Sequence, residues 1–143
     1  MFKQKNSTII FNNIFQIIDY LQTLSNRRQC DITTVGKTEE GRPIIAVKIG
    51  SSNARTIVIE SGVHAREWVT PMTALYVIER LLNNYEFVDG LQWIIIPLLN
   101  PDGYDYSWSP DFKNVRNIVL IFNFSRYGLD NPDFCLKYSA KVY

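Results

Sequence analysis

Two short apolar runs joined by a helix-period stretch constrain this chain more than any other feature. Thr56-Ile57-Val58-Ile59-Glu60 is rich in β-branched residues, and Trp93-Ile94-Ile95-Ile96-Pro97-Leu98 is continuously apolar. Both have strand length. Between them, Thr70-Pro71 reads as a helix start, with Thr as N-cap and Pro in the first turn. Met72, Leu75, Tyr76, Ile78, Leu82 and Tyr85 then supply an apolar face, and Asp89-Gly90 breaks the chain before the second run. Strand, helix, strand in that order implies a right-handed parallel crossover. Both strands read as buried on both faces, as in parallel sheets. The fold class is α/β.

Upstream, Ile14, Ile17, Ile18, Leu21 and Leu24 recur at spacings of three and four, which predicts a helix over residues 12–26. Residues 32–37 and 44–49 read as two strands around Thr38-Glu39-Glu40-Gly41-Arg42-Pro43, so a hairpin is expected there. Downstream, Asn100-Pro101-Asp102-Gly103-Tyr104 reads as a turn. Residues 106–112 are aromatic and irregular, residues 118–124 form another short apolar run, and residues 125–143 show no period. The expected architecture is a partial mixed sheet, a hairpin plus a parallel crossover, with helices packed on it. A chain of 143 residues is one domain or a piece of one.

Charge excludes several partners. Fifteen Lys+Arg against 14 Asp+Glu leave a net charge of +1, which gives no basic footprint for nucleic acid. No apolar run approaches the roughly 18 residues of a membrane helix, so no membrane is expected as a partner. Met1-Phe2-Lys3-Gln4-Lys5 is a basic start, but Ile9-Ile10-Phe11 is too short for a secretory core, and no export signal is visible. Cys30 and Cys135 form neither a metal-type pair nor a disulfide framework, so the compartment is unreadable.

The chemistry centres on His64 and Glu67, three apart just past the first strand of the crossover. A turn there brings an imidazole and a carboxylate to one side. Both are zinc ligands, and two His, one Glu and a water make a known catalytic set. A surface His beside a helix start, with Glu67 favouring the positive end of the dipole, is the bland alternative. The position at the carboxyl end of a strand in an α/β pattern is where open sheets place their sites.

Three blocks carry a more specific resemblance. Gly36 with Glu40-Gly41-Arg42-Pro43-Ile44, then Ser61-Gly62-Val63-His64-Ala65-Arg66-Glu67-Trp68, then Asn100-Pro101-Asp102-Gly103-Tyr104 occur in order. Together they resemble the signature blocks of the zinc carboxypeptidases related to pancreatic carboxypeptidases A and B. The resemblance covers roughly residues 14–108, the front part of that family's catalytic domain, and the family's pro-segment is not seen before it. It implies a zinc ion held by His64 and Glu67, Arg66 contacting a peptide substrate, and peptide or protein C-termini as partners. Trp68 reads as packing, Arg42 as fixing a turn through its several donors, and residues 100–103 as shaping a turn beside the site.

The resemblance also implies what these residues do not supply. The family takes its third ligand from a second His, whereas this sequence has one His. The family's general-base Glu, its substrate-carboxylate Arg and its mobile Tyr have no matching positions. Where the family continues into Arg-x-Trp-Arg-Lys, Ser109-Pro110-Asp111-Phe112-Lys113 stands instead. Residues 109–143 therefore read as a divergent tail, and the expectation is a truncated, inactive form, with a codon pair at Val115-Arg116 that can mimic a splice donor. Three functions follow. One is a metallocarboxypeptidase by descent, and another an inactive fragment or peptide-binding pseudoenzyme. The third is a relative that removes acyl groups from amino acids, which the first and third blocks disfavour. An interrupted sheet also predicts marginal stability and aggregation, with residues 118–124 adding a strand.

Overall fold

The computed structural model describes residues 13–110 throughout, and beyond them only the backbone of four short strands. Two of these, β1 (Phe2–Gln4) and β2 (Ser7–Ile9), pair antiparallel with each other. The other two, β7 (Leu120–Phe122) and β8 (Ala140–Val142), do likewise. The expected run 118–124 thus falls partly outside the described residues. Its described part pairs with β8.

The body is a four-stranded mixed sheet in which residues 30–37, 43–50, 91–96 and 55–60 lie side by side in that order. β3 (Cys30–Lys37) and β4 (Pro43–Gly50) form the expected antiparallel hairpin, from Cys30 opposite Ile49 to Lys37 opposite Pro43, with a bulge at Val35. β5 (Arg55–Glu60) and β6 (Leu91–Ile96) run parallel, joined by α2 (Val69–Asn83), as the crossover requires. β6 starts two residues earlier than expected and stops at Pro97, which has no N–H to give the ladder.

Strand alternation sorts the core onto two faces. Ile45, Val47, Ile49 and Ile95 point to one face, where α1 (Ile14–Thr23) lays Ile14, Ile17 and Leu21 and α2 lays Ala74, Leu75, Ile78 and Leu81. Ile44, Ala46 and Ile96 point to the other face and join Val35 and Leu99 in a smaller cluster. α1 begins where Asn13 caps it, accepting from the Gln16 N–H at 3.0 Å.

Four expectations need correction. Thr70 is not the N-cap of α2; it lies inside the first turn, and Trp68 precedes the helix without a side-chain cap. The buried stripe of α2 is Pro71, Ala74, Leu75, Ile78 and Leu81, so Tyr76, one residue off the stripe and about 100° round the helix, is 51% exposed. β5 is not buried on both faces. It is the last strand in the sheet order, and Val58 is 44% exposed on the face opposite the helices. Residues 100–104 are not a bare turn but open α3 (Pro101–Tyr106), with Asn100 as N-cap and Pro101 at the first position.

Candidate metal centre

His64 and Glu67 stand on the loop between the carboxyl end of β5 and the start of α2. The Glu67 N–H donates to the His64 carbonyl at 3.1 Å, so residues 64–67 form one hydrogen-bonded turn. Such a turn holds its end Cα atoms within about 7 Å. His64, Arg66 and Glu67 are exposed, while Ala65 between them is buried and seats the turn on the body. The structure therefore brings the imidazole, the carboxylate and the guanidinium expected from sequence onto one short solvent-facing turn.

The ends of this loop are fixed by backbone bonds. Ser61 N–H donates to the Ile96 carbonyl at 3.0 Å, Leu99 N–H to Ser61 at 2.9 Å and Asn100 N–H to Gly62 at 3.0 Å, extending the β5–β6 pairing beyond the strands. Gly62 has φ +64, and a Cβ there would sit 2.7 Å from a Leu98 methyl and 3.0 Å from its Cα. Only glycine accepts both the left-handed backbone and that approach. On the helix side, the Thr70 hydroxyl donates to the Glu67 carbonyl at 2.9 Å and accepts from Gly62 N–H at 3.2 Å. Thr70 thereby ties the two ends of the loop together, which explains its place better than capping does.

The three sequence blocks meet here. Arg42 pairs with Asp102 and with Asp105, each at 2.7 Å, and with Glu40. Thr38 donates its hydroxyl to Asp102 at 2.8 Å. The β3–β4 turn is thus clamped to α3. Burial pulls the Arg42 pKa down, but hydrogen bonds to Asp102 and Glu40 outweigh it and hold the guanidinium above its ordinary value. α3 is in turn joined to the loop by Asn100, whose side-chain N–H donates to the Val63 carbonyl at 3.1 Å while its oxygen accepts from Gly103 N–H at 3.0 Å. Trp68 stacks on Trp108 with centroids 3.9 Å apart and donates to Ser107 at 2.8 Å, so its role is packing. Sequence reasoning assigned Asn100 only to a turn. The signal it missed is the glycine three residues on.

As a metal site the donor set is half complete. An imidazole nitrogen and a carboxylate oxygen suit two of the four positions around zinc. Among the described residues, no group of three or more His, Cys, Asp or Glu could hold a metal ion.

The family model for zinc carboxypeptidases matches residues 17–126. The inactive metallocarboxypeptidase ECM14 of Saccharomyces cerevisiae is 39% identical over 90 residues, 54% of this chain and 21% of that protein. Its counterpart in Schizosaccharomyces pombe is 30% identical over 139 residues, 84% of this chain and 28% of that protein. Among solved structures, carboxypeptidase A from Helicoverpa armigera is similar with a TM-score of 0.66 and 30% identity, over 76% of this chain and 30% of that one. The chain thus spans less than a third of the length of each of these relatives.

Proposed function

Because the chain belongs to the zinc carboxypeptidase family, carrying the N-terminal part of its domain, we propose that His64 and Glu67 are two ligands of a zinc ion and that Arg66 holds a peptide substrate beside it. The observation that carries this reading is the single turn that puts both donors in solvent at the carboxyl end of a parallel strand. When bound, zinc supplies Lewis acidity and a water of lowered pKa for peptide hydrolysis. Arg66 offers a permanent cation and up to five donors to a peptide carbonyl or carboxylate.

These 143 residues contain one His, so a second imidazole ligand is not available within them, and no residue matches the family's general base. On their own they form a half-site that binds zinc weakly and hydrolyses nothing. A second reading, a pseudoenzyme that holds peptides or partners without cleaving them, is favoured by the word inactive in the names of both yeast relatives.

Zinc titration of the purified chain, followed at the imidazole resonances of its single His, tests the metal reading. A blocked dipeptide assay run alongside tests activity. The expected result is weak stoichiometric zinc that is lost at the imidazole in Glu67→Ala and, by equilibrium dialysis, in His64→Ala as well, with no release of C-terminal residues. Zinc-independent resonances overturn the metal reading, and turnover with tight zinc overturns the inactivity.

A further inference from the structure

We propose that Asn100 is a positioning residue whose carboxamide fixes the backbone from which His64 projects. The inference rests on the metal reading above for its functional consequence, but its geometry is independent of it. Asn100 is 3% exposed, and a side-chain amide so buried must spend its donor and acceptor on protein groups. Its Nδ2 donates to the Val63 carbonyl and its Oδ1 accepts from Gly103 N–H.

The Val63 carbonyl and the His64 nitrogen share one rigid peptide plane. Holding that carbonyl therefore orients the plane on the N-terminal side of His64. The plane on its C-terminal side is held by the Glu67 N–H bond to the His64 carbonyl. With both flanking planes fixed, the Cα–Cβ direction of His64 is fixed too, and the imidazole is left only its own side-chain rotations. Aspartate at 100 would keep the cap on α3 but present an oxygen to the Val63 oxygen. Serine would keep the cap but fall short of Val63.

Two further features make this amide a rigid link. A Cβ on Gly103 would lie 2.3–2.9 Å from the Asn100 amide atoms, so glycine at 103 leaves the space that the amide occupies. α3 is itself held against the β3–β4 turn by the Asp102 and Asp105 bonds to Arg42. Asn100 thus connects the metal-ligand turn to the most strongly charged clamp of the described residues.

The test compares wild type with Asn100→Asp and Asn100→Ser, and with Tyr20→Phe as a control that removes a distant bond between α1 and Glu79 of α2. Zinc affinity is read at the single imidazole, amide exchange at Glu67 without metal, and stability by thermal unfolding. The expected result is about a tenfold loss of zinc affinity and about a tenfold faster Glu67 exchange in both Asn100 variants, each measured where the protein is folded. Tyr20→Phe is expected to lower the melting temperature and leave zinc affinity unchanged. Unchanged affinity in the Asn100 variants, or an equal loss in Tyr20→Phe, overturns the proposal. If zinc leaves the wild-type imidazole unmoved, the metal reading fails. Glu67 exchange then decides the positioning role: faster in the variants supports it, unchanged overturns it. Should Asn100→Asp not fold, the uncharged Asn100→Ser carries the comparison.

Discussion

At the scale of single residues, the glycines of the motif blocks have separate physical reasons, and one of them gives a direct test. Gly103 is helical and needs no special backbone, yet a methyl group there collides with the buried Asn100 amide. Gly103→Ala should therefore destabilise the chain by about 1–3 kcal/mol, as overpacking does, despite alanine's better helix propensity. Urea unfolding checks this, and a stabilised variant would mean that the amide can move aside. His64 and Glu67 can be proposed as ligands from sequence because donor chemistry is written in residue identity, and Arg66 through the resemblance of its block. Asn100 could not, because its role depends on a carbonyl 37 residues away that only the fold brings within 3.1 Å. Cys30 gives a pH prediction. Burial, partly opposed by Arg27, raises its thiol from 9.0 to about 11. The unfolded chain releases this proton first, so the contribution is intact below about pH 9 and lost as pH rises toward 11. Stability should fall over that window, and the fall should be shallower in Cys30→Ala when urea midpoints are measured from pH 8 to 10.5.

At the scale of elements, periodicity located the four strands of the sheet and the helices α1 and α2, but not their surroundings. The spacing of α2 was sound, yet the stripe that meets the sheet is set by the crossover, and it passes through Ala74 and Leu81 rather than Tyr76 and Tyr85. α3 was missed because Asn, Pro, Asp and Gly serve a turn and a capped helix start equally well, and six residues are too few to show a period. Two things hold α3 in place, the burial of Tyr104 in the core and charge. The Arg42 guanidinium bridges two carboxylates of α3 from the far side of a hairpin, with Asp102 mostly shielded from water. Truncating Arg42 to Ala should cost about 1–3 kcal/mol, above the range of an exposed surface pair, because it leaves Asp102 partly buried without its cation. Arg42→Lys should recover only part of this, since an ammonium cannot reach both carboxylates with a planar fork. A double-mutant cycle with Asp105→Ala isolates one arm of the clamp, and a coupling near zero would show that arm to be idle.

At the scale of the whole molecule, the outer edge of β5, which pairs with no further strand among the described residues, is the feature with the widest consequence. The chain carries the front part of a larger family domain, and its four-stranded sheet ends on the strand that delivers the candidate metal turn. A run such as Thr56-Ile57-Val58-Ile59-Glu60 reads as interior from composition alone, because β-branched residues dominate it, whether or not a neighbour lies beyond it. In the structure, Thr56, Val58 and Glu60 are exposed, no proline interrupts the strand, and its charges, Arg55 and Glu60, stand only at its two ends. Native sheets blunt such edges with charge, proline or bulges. The strand is therefore a template for antiparallel pairing with a second copy. A two-fold axis normal to the sheet keeps each residue on its own face, so residues of like parity must pair, and the two central registers of Arg55–Glu60 are Val58 against Val58 and Ile57 against Ile57, with Val58 at or beside the axis in both. Placing a charge at that position should block the pairing at little cost to the fold, since Val58 is 44% exposed. Val58→Lys is expected to abolish concentration-dependent association in sedimentation velocity and light scattering, with stability changed by no more than about 0.5 kcal/mol. Two charged side chains brought face to face repel at low salt and are screened at about 1 M, so partial return of association in high salt would mark the edge as the contact. Association that persists unchanged in Val58→Lys at low salt would place the contact elsewhere on the molecule.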